Sequence, residues 1–133
     1  MFSLFNRKKK FFPPEEQQLI VRAIQNAERR TSGEVRVYVE SRCSYMDALD
    51  RAIEIFTQMG MHATEERNGV LVYVAVKDHQ LAVLGDVGIH RKVGNEFWNN
   101  EVMKMLRDFN RDNYAHGIAG CVEDIGRALQ EHF

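Results

Sequence analysis

Between residues 34 and 40 every second side chain is a valine. Val35, Val37 and Val39 alternate with Glu34, Arg36, Tyr38 and Glu40, the period of a strand with one strongly buried face. Residues 70–76 read Val-Leu-Val-Tyr-Val-Ala-Val without a polar break. A continuous β-prone run of this kind predicts a strand covered on both faces. Leu81 to Leu84 predicts one more strand, and the residues from Lys77 to Gln80 suit a hairpin between the two.

Helical spacing fills the remainder. Pro14 suits a first helical turn, and Leu19, Ile20, Ala23, Ile24 and Ala27 form one apolar stripe, so a helix is predicted from about residue 14 to about residue 30. Ser32-Gly33 breaks it. Ser44 followed by Asp47 resembles a capping box with Asp in the Glu position. A second stripe follows, Ala48, Leu49, Ala52, Ile53, Phe56 and Met59, with Gly60 placed to stop the helix in a left-handed conformation. Gly85-Asp86-Val87-Gly88 reads as a turn. Trp98, Val102, Met105, Leu106 and Phe109 predict a third helix, and Tyr114, Ile118, Cys121, Val122, Ile125 and Leu129 a fourth. The order α-β-α-β-β-α-α predicts the α/β class. Its architecture is a three-layer α/β/α sandwich on a small mixed β-sheet, with the first two strands parallel and the third running back.

Charge divides the chain in two. The formal net charge is only −1 over 133 residues. Residues 1–12 hold Arg7, Lys8, Lys9 and Lys10 and no acid, so the rest carries 14 cations against 19 acids, a net of about −5. We expect a flexible basic-aromatic tail over 1–12 and a single domain over 13–133. An acidic body is a poor match for nucleic acid, which is excluded as a partner. The tail residues Phe2, Phe5, Arg7, Lys8, Lys9 and Lys10 suit contact with an anionic membrane surface, cations for the headgroups and rings for the boundary beneath. No stretch reaches the roughly 18 apolar residues of a membrane span, and no secretory apolar core follows the tail charges. The expected location is the cytoplasm, peripheral at the inner face of the membrane.

Chemistry is sparse. Cys43 and Cys121 make neither a zinc spacing nor a C-x-x-C pair, and two buried thiols are expected. His62, His79, His90, His116 and His132 are scattered without metal-ligand spacing. The glycine turn lacks the Gly-Lys-Ser/Thr ending of a phosphate loop, and no G-x-S-x-G elbow is present. Asp86 is the candidate catalytic residue. It lies between glycines at the end of a buried strand. Its open roles are a ligand for a divalent cation such as calcium, an acid–base residue tuned by a nearby cation, or an Asp that hydrogen-bonds its own turn.

The predicted topology sorts polar residues by end. One end gathers Arg42, Cys43 and Ser44 with Lys77, Asp78 and His79. The other gathers Ser32, Glu34, Arg67, Asn68, Asp86, Gly88, His90 and Arg91. Ligands of open α/β sheets usually lie beyond the carboxyl ends of the parallel strands, which favours the first end. Polar variety and the glycines favour the second. There Glu34, Arg67, Asn68, Gly85, Gly88, His90 and Arg91 are candidate binding residues around Asp86.

Four stretches carry a family resemblance: Thr31-Ser32-Gly33-Glu34-Val35-Arg36-Val37, Arg67-Asn68-Gly69-Val70-Leu71-Val72-Tyr73-Val74-Ala75, Leu81-Ala82-Val83-Leu84-Gly85-Asp86-Val87-Gly88-Ile89, and Ile125-Gly126-Arg127-Ala128-Leu129 through His132-Phe133. In order and spacing, over about residues 14–133, the chain resembles the TPM domain. That family includes a thylakoid-lumen acid phosphatase, a photosystem-repair protein and a membrane regulator of acetylcholine receptors. The resemblance implies an α/β/α sandwich and a role in the maintenance of membranes or membrane complexes, as an interaction module. As the alternative it implies a weak cation-assisted phosphatase acting on phosphomonoesters. Longer members carry acids after the glycine turn. Here that segment is Ile89-His90-Arg91-Lys92-Val93-Gly94-Asn95, basic instead.

Overall fold

The structure, a computed structural model, describes residues 11–133. Helix α1 (Pro14–Glu28) leads into strand β1 (Glu34–Glu40), helix α2 (Ala48–Gln58), a short 3-10 turn (Met61–Ala63), strands β2 (Gly69–Ala75) and β3 (Gln80–Gly85), and helices α3 (Val87–Phe109) and α4 (Tyr114–His132). The sheet order is β1-β2-β3. β1 pairs parallel with β2 in the register Val35↔Val70, Val37↔Val72, Val39↔Val74. β2 pairs antiparallel with β3, with Val72 opposite Val83. The predicted class and element order stand.

All seven residues of β2 are buried. The even-numbered valines, Val70, Val72 and Val74, join the valines of β1 in a core closed by α1, α3 and α4. The odd-numbered residues, Leu71, Tyr73 and Ala75, pack with Ala52, Ile55, Phe56 and Met61 beneath α2. One strand thus belongs to two cores, and this is why its sequence has no polar beat. The single buried hydroxyl of the run is satisfied, since Tyr73 Oη donates to Glu40. Arg51 reaches the same carboxylate from α2 at 2.9 Å, tying the lower layer to the sheet. Cys43 and Cys121 are free and lie in the two different cores, so the sheet separates the thiols. Phe12 is buried in the core, and Phe11 packs against it.

Three local expectations change. Asp47, not Ser44, caps α2: its carboxylate accepts from the Asp50 N–H at 2.8 Å. A β-region Asp with a free side chain completes the cap directly. Gly60 does stop α2, at φ +66°. The predicted turn Gly85-Asp86-Val87-Gly88 is instead the junction of β3 and α3, with Asp86 as N-cap. Helix α3 therefore begins at Val87 rather than near Trp98, and it is kinked at Gly94 (φ +78°, ψ 172°). At this positive φ any side chain would be strained, and only glycine takes it at little cost. It also shifts the helical phase, which hides the first segment from a search for one continuous apolar stripe.

Gly88 and Gly120 make opposite predictions. A Cβ at Gly88 would lie 2.0 Å from the Glu66 carbonyl oxygen, whereas at Gly120 it would meet nothing within 4 Å. Gly88→Ala must push α3 away from the 66–67 loop, and we expect a loss of about 2 kcal/mol or more in urea unfolding. Gly120→Ala lies in an exposed helix position and should gain about 0.5–1 kcal/mol. Equal effects of the two substitutions would refute this assignment of close approach.

Candidate functional site

Asp86 lies at the end of β3, where the chain leaves the sheet for α3. Its N–H donates to the Gly69 carbonyl at 2.9 Å, continuing the β2–β3 ladder by one step. Its side chain is 3% exposed. Arg67, at the entry to β2, binds it in bidentate fashion, with Nε to Oδ2 at 2.7 Å and Nη2 to Oδ1 at 2.9 Å. The Val87 N–H donates to Oδ1 at 2.8 Å. His62 Nδ1 stands 3.5 Å from the same oxygen and 3.1 Å from Arg67 Nη2. Burial pushes the carboxyl's pKa up, but Arg67, the Val87 N–H and the neighbouring His62 outweigh it, and the net shift is downward. Arg67 has a left-handed backbone (φ +52°). Its carbonyl accepts from the Gly88 N–H at 2.8 Å. The two segments are thus stitched twice, by side chain and by main chain.

The other candidates divide around this centre. Asn68 is fully buried, and its Nδ2 donates to Ser32 Oγ at 3.0 Å. Ser32 in turn donates to Glu66. Asn68 Oδ1 has no hydrogen-bond partner among the described residues. Gly85 lies under the Trp98 ring, where a Cβ would come within 2.3 Å. His90 turns from Asp86 to that same indole: Trp98 Nε1 donates to His90 Nδ1 at 3.0 Å. Glu34 pairs with Arg36 at 3.2 Å rather than with Asp86. Arg91 is exposed. The structure therefore brings Arg67 and Asp86 together, sets Asn68 in an adjoining polar chain, and keeps Glu34 and Arg91 apart from them. Phe2, Phe5, Arg7, Lys8, Lys9 and Lys10 lie outside the described residues.

His62 escaped the sequence reading. It reaches Asp86 from the 3-10 turn after Gly60, 24 residues earlier in the chain, and no spacing marks that approach. With Ile53, Phe56, Leu84 and Val87 the cluster lines a hollow of about 220 Å³. At the opposite end, Asp78 holds the loop after β1, accepting from the Cys43 N–H at 2.7 Å and from Arg42 at 3.1 Å. This closes the carboxyl end of the parallel strands with an internal contact. Among the described residues no group of three or more His, Cys, Asp or Glu is arranged to hold a metal ion.

These features define an α/β/α domain whose polar centre is an arginine–aspartate clasp at the β3–α3 junction. The family model of the TPM domain matches residues 5–128, and the chain belongs to that family. The BA42 protein of the psychrophilic bacterium Bizionia argentinensis is similar in sequence and structure. It is 38% identical with a TM-score of 0.85, over 94% of this chain and 86% of that one. The N-terminal domain of a Corynebacterium glutamicum protein shares the fold at 11% identity, with a TM-score of 0.74 over 95% of this chain and 78% of that one. The N-terminal domain of a P. gingivalis protein does so at 15% identity, with a TM-score of 0.69 over 97% and 84%. A search of curated proteins returns no match.

A second buried acid lies away from this centre. Glu101 of α3 is 2% exposed and meets Asp124 of α4, with Lys104 Nζ 3.6 Å from Glu101 and 3.1 Å from Asp124. Burial, and then the hydrogen bond and charge of Asp124, push Glu101 up to about 7 against the pull of Lys104.

Two measurements follow from these clusters. Asp86→Ala removes a cap and the partner of a partly exposed guanidinium. It should destabilise the fold by about 1–2 kcal/mol in urea unfolding, with Asp86→Asn smaller because the amide still accepts from Val87. A loss under about 0.5 kcal/mol for Asp86→Ala would contradict the clasp. Glu101 gives a pH signature. Its folded pKa is raised, so the protonated form favours the native state. Stability is full below the unfolded value near 4.5 and is lost as pH rises through about 7. Wild type should lose stability between about pH 5 and 8, and Glu101→Gln should flatten that slope.

Proposed function

We propose that this TPM domain is an interaction module in the maintenance of membranes or membrane-bound complexes, held to an anionic membrane surface by its basic-aromatic N-terminal segment. The observation that carries this reading is the state of Asp86. Both carboxylate oxygens are engaged by Arg67, one also by the Val87 N–H, and the side chain is nearly closed to water. A general acid or base needs a free lone pair or proton within reach of the substrate. A carboxylate held ionised by an arginine has no proton to give, and it already accepts three hydrogen bonds from within the fold. Its chemistry is that of a clasp, which holds the β3–α3 junction and the surface around it in one shape.

The membrane half of the proposal rests on Phe2, Phe5, Arg7, Lys8, Lys9 and Lys10. Four adjacent cations near an anionic surface contribute on the order of 1 kcal/mol each, and the rings add apolar burial. No helix among the described residues is long and apolar enough to cross a membrane, so attachment of this kind would be peripheral and reversible.

Two assays test the proposal. Purified full-length protein, given a generic phosphomonoester with calcium, magnesium or manganese, should show no turnover above that of Asp86→Asn. Metal-dependent hydrolysis that falls about 10²–10⁴-fold in Asp86→Asn would replace the module reading with a phosphatase. In co-sedimentation the full chain should pellet with anionic but not neutral vesicles and be released by high salt. A chain beginning at Phe11, which keeps the buried Phe12, should stay in solution. Identical behaviour of the two chains would remove the segment's role.

A further inference from the structure

The two edges of the sheet are built differently. β1 reads Glu-Val-Arg-Val-Tyr-Val-Glu, with charges along its length, and its Val35 N–H is taken by the Glu28 carboxylate at 2.7 Å. Charges and side-chain caps of this kind keep an edge from pairing with another chain. β3, the other edge, reads Gln-Leu-Ala-Val-Leu-Gly with no charge and no proline. No side chain among the described residues bonds its main chain.

Beside β3 runs a groove of about 470 Å³, floored by Leu81 to Gly85 and walled by Leu49 of α2 and by Trp98, Asn99 and Val102 of α3. It shares Leu84 and Gly85 with the 220 Å³ hollow at Arg67 and His62. The two hollows adjoin as a channel along the strand, apolar at the sides and ending at the Arg67–Asp86 pair, whose guanidinium is 44% exposed. Its rim keeps apolar side chains in water: Leu49 is 49% exposed, Ile53 46% and Val87 43%. Exposed apolar patches of this kind mark interaction sites.

We propose that this channel binds the C-terminal segment of a partner protein. The segment is an extended apolar peptide that adds as a strand to β3 and places its terminal carboxylate at Arg67. The proposal rests on the interaction-module reading and names the chemistry of the partner. Each part of the channel matches a part of such a peptide. The open strand edge offers N–H and C=O groups in β register. Asn95 and Asn99 supply side-chain amides along the wall. His90 accepts from Trp98 at Nδ1, so the neutral ring carries its own proton on Nε2 as a donor. Arg67 uses Nε and Nη2 on Asp86, and its Nη1 makes no hydrogen bond among the described residues. Asp86 lines the same hollow but its side chain is only 3% exposed against 44% for Arg67, so the guanidinium is the group an incoming carboxylate reaches.

The occupant follows from the walls. Ala82 and Val83 are only 6% and 7% exposed, although they lie on an edge strand, because α2 and α3 rise on either side. A second copy of this domain carries the same overhanging helices and cannot bring its own β3 to the floor. A single extended chain can. A fatty acid would also satisfy an apolar channel ending in arginine, but it would leave the strand's polar groups unpaired, at a cost that a peptide avoids.

A display library of short random peptides with free C-termini, panned on the full-length protein, tests this directly. Enriched peptides should alternate β-branched residues and end in an apolar one. Synthetic versions should shift the amide resonances of Leu81 to Gly85 and weaken by about tenfold or more on C-terminal amidation. Ile53→Glu, at an exposed position that leaves the fold intact by circular dichroism, should abolish binding. No enrichment over Ile53→Glu protein, or binding indifferent to amidation, overturns the proposal. So does a shift of the same amides by oleate but by no peptide, or a concentration-dependent dimer that buries the groove. A phosphatase activity would instead remove the module reading and leave these peptide measurements to be judged separately.

Discussion

β2 has helices on both of its faces, and that constraint organises the molecule. A strand in this position needs apolar side chains in both directions, which is why Gly69–Ala75 is buried without exception. It needs partners on both edges, which β1 and β3 provide in opposite senses. It also requires two separate cores, one beneath α2 and one shared by α1, α3 and α4. Polar groups are pushed to the strand ends, because a buried main chain closes its own hydrogen bonds and leaves no place for a side-chain polar group without a partner.

The Arg67–Asp86 clasp is the result of that displacement at one end. The entry to β2 and the exit of β3 are adjacent because the two strands pair, so a residue flanking each must meet. An arginine and an aspartate there gain two charge-assisted bonds, and the aspartate caps α3 as well. The same acid read along the chain looks available for catalysis, because sequence shows a residue between glycines but not the oxygens already committed. At the opposite end Asp78 plays a comparable part, gripping the loop after β1 through the Cys43 N–H. Asp78, Asp86 and Glu34, the acids that the topology gathers at the strand ends, are thus all engaged within the fold. Among the described residues the uncharged edge of β3 has no such partner.

Elements with a clean period were legible from the sequence. β1, with its valine alternation, agrees in both boundaries, and the apolar run of β2 announced a double-sided strand. The stripes of α1 and α4 marked their helices because each buries one continuous face; in α2 the helix was marked but the face was not, since Leu49 and Ile53 of the expected stripe are exposed and Ile55 is buried instead. α3 was half legible. Its later segment carries a stripe through Trp98, Met105 and Phe109, but Gly94 breaks the phase before it. The local signals Gly85 and Gly88 then read as turn residues. Both owe their identity to crowding across space, Gly85 to the Trp98 ring and Gly88 to the Glu66 carbonyl.

The site was legible in part for the same reason. Arg67, Asn68 and Asp86 flank strands, so strand order placed them at one end. Glu34 opens β1 and His90 lies in the first turn of α3 at the same end, yet Glu34 turns to Arg36 and His90 to Trp98, choices made by side-chain direction and neighbouring helices. His62 enters only because the chain doubles back after α2. The sequence by itself determined which segments are strands and helices, which faces are buried, and hence the layered fold, because hydrophobic periodicity is local and repeats along each segment. Only the tertiary structure decided which polar groups are spent on one another, that β3 is an edge no side chain caps among the described residues, and that its groove ends at Arg67. Those facts depend on distances between segments remote in sequence, and such distances leave no periodic trace along the chain.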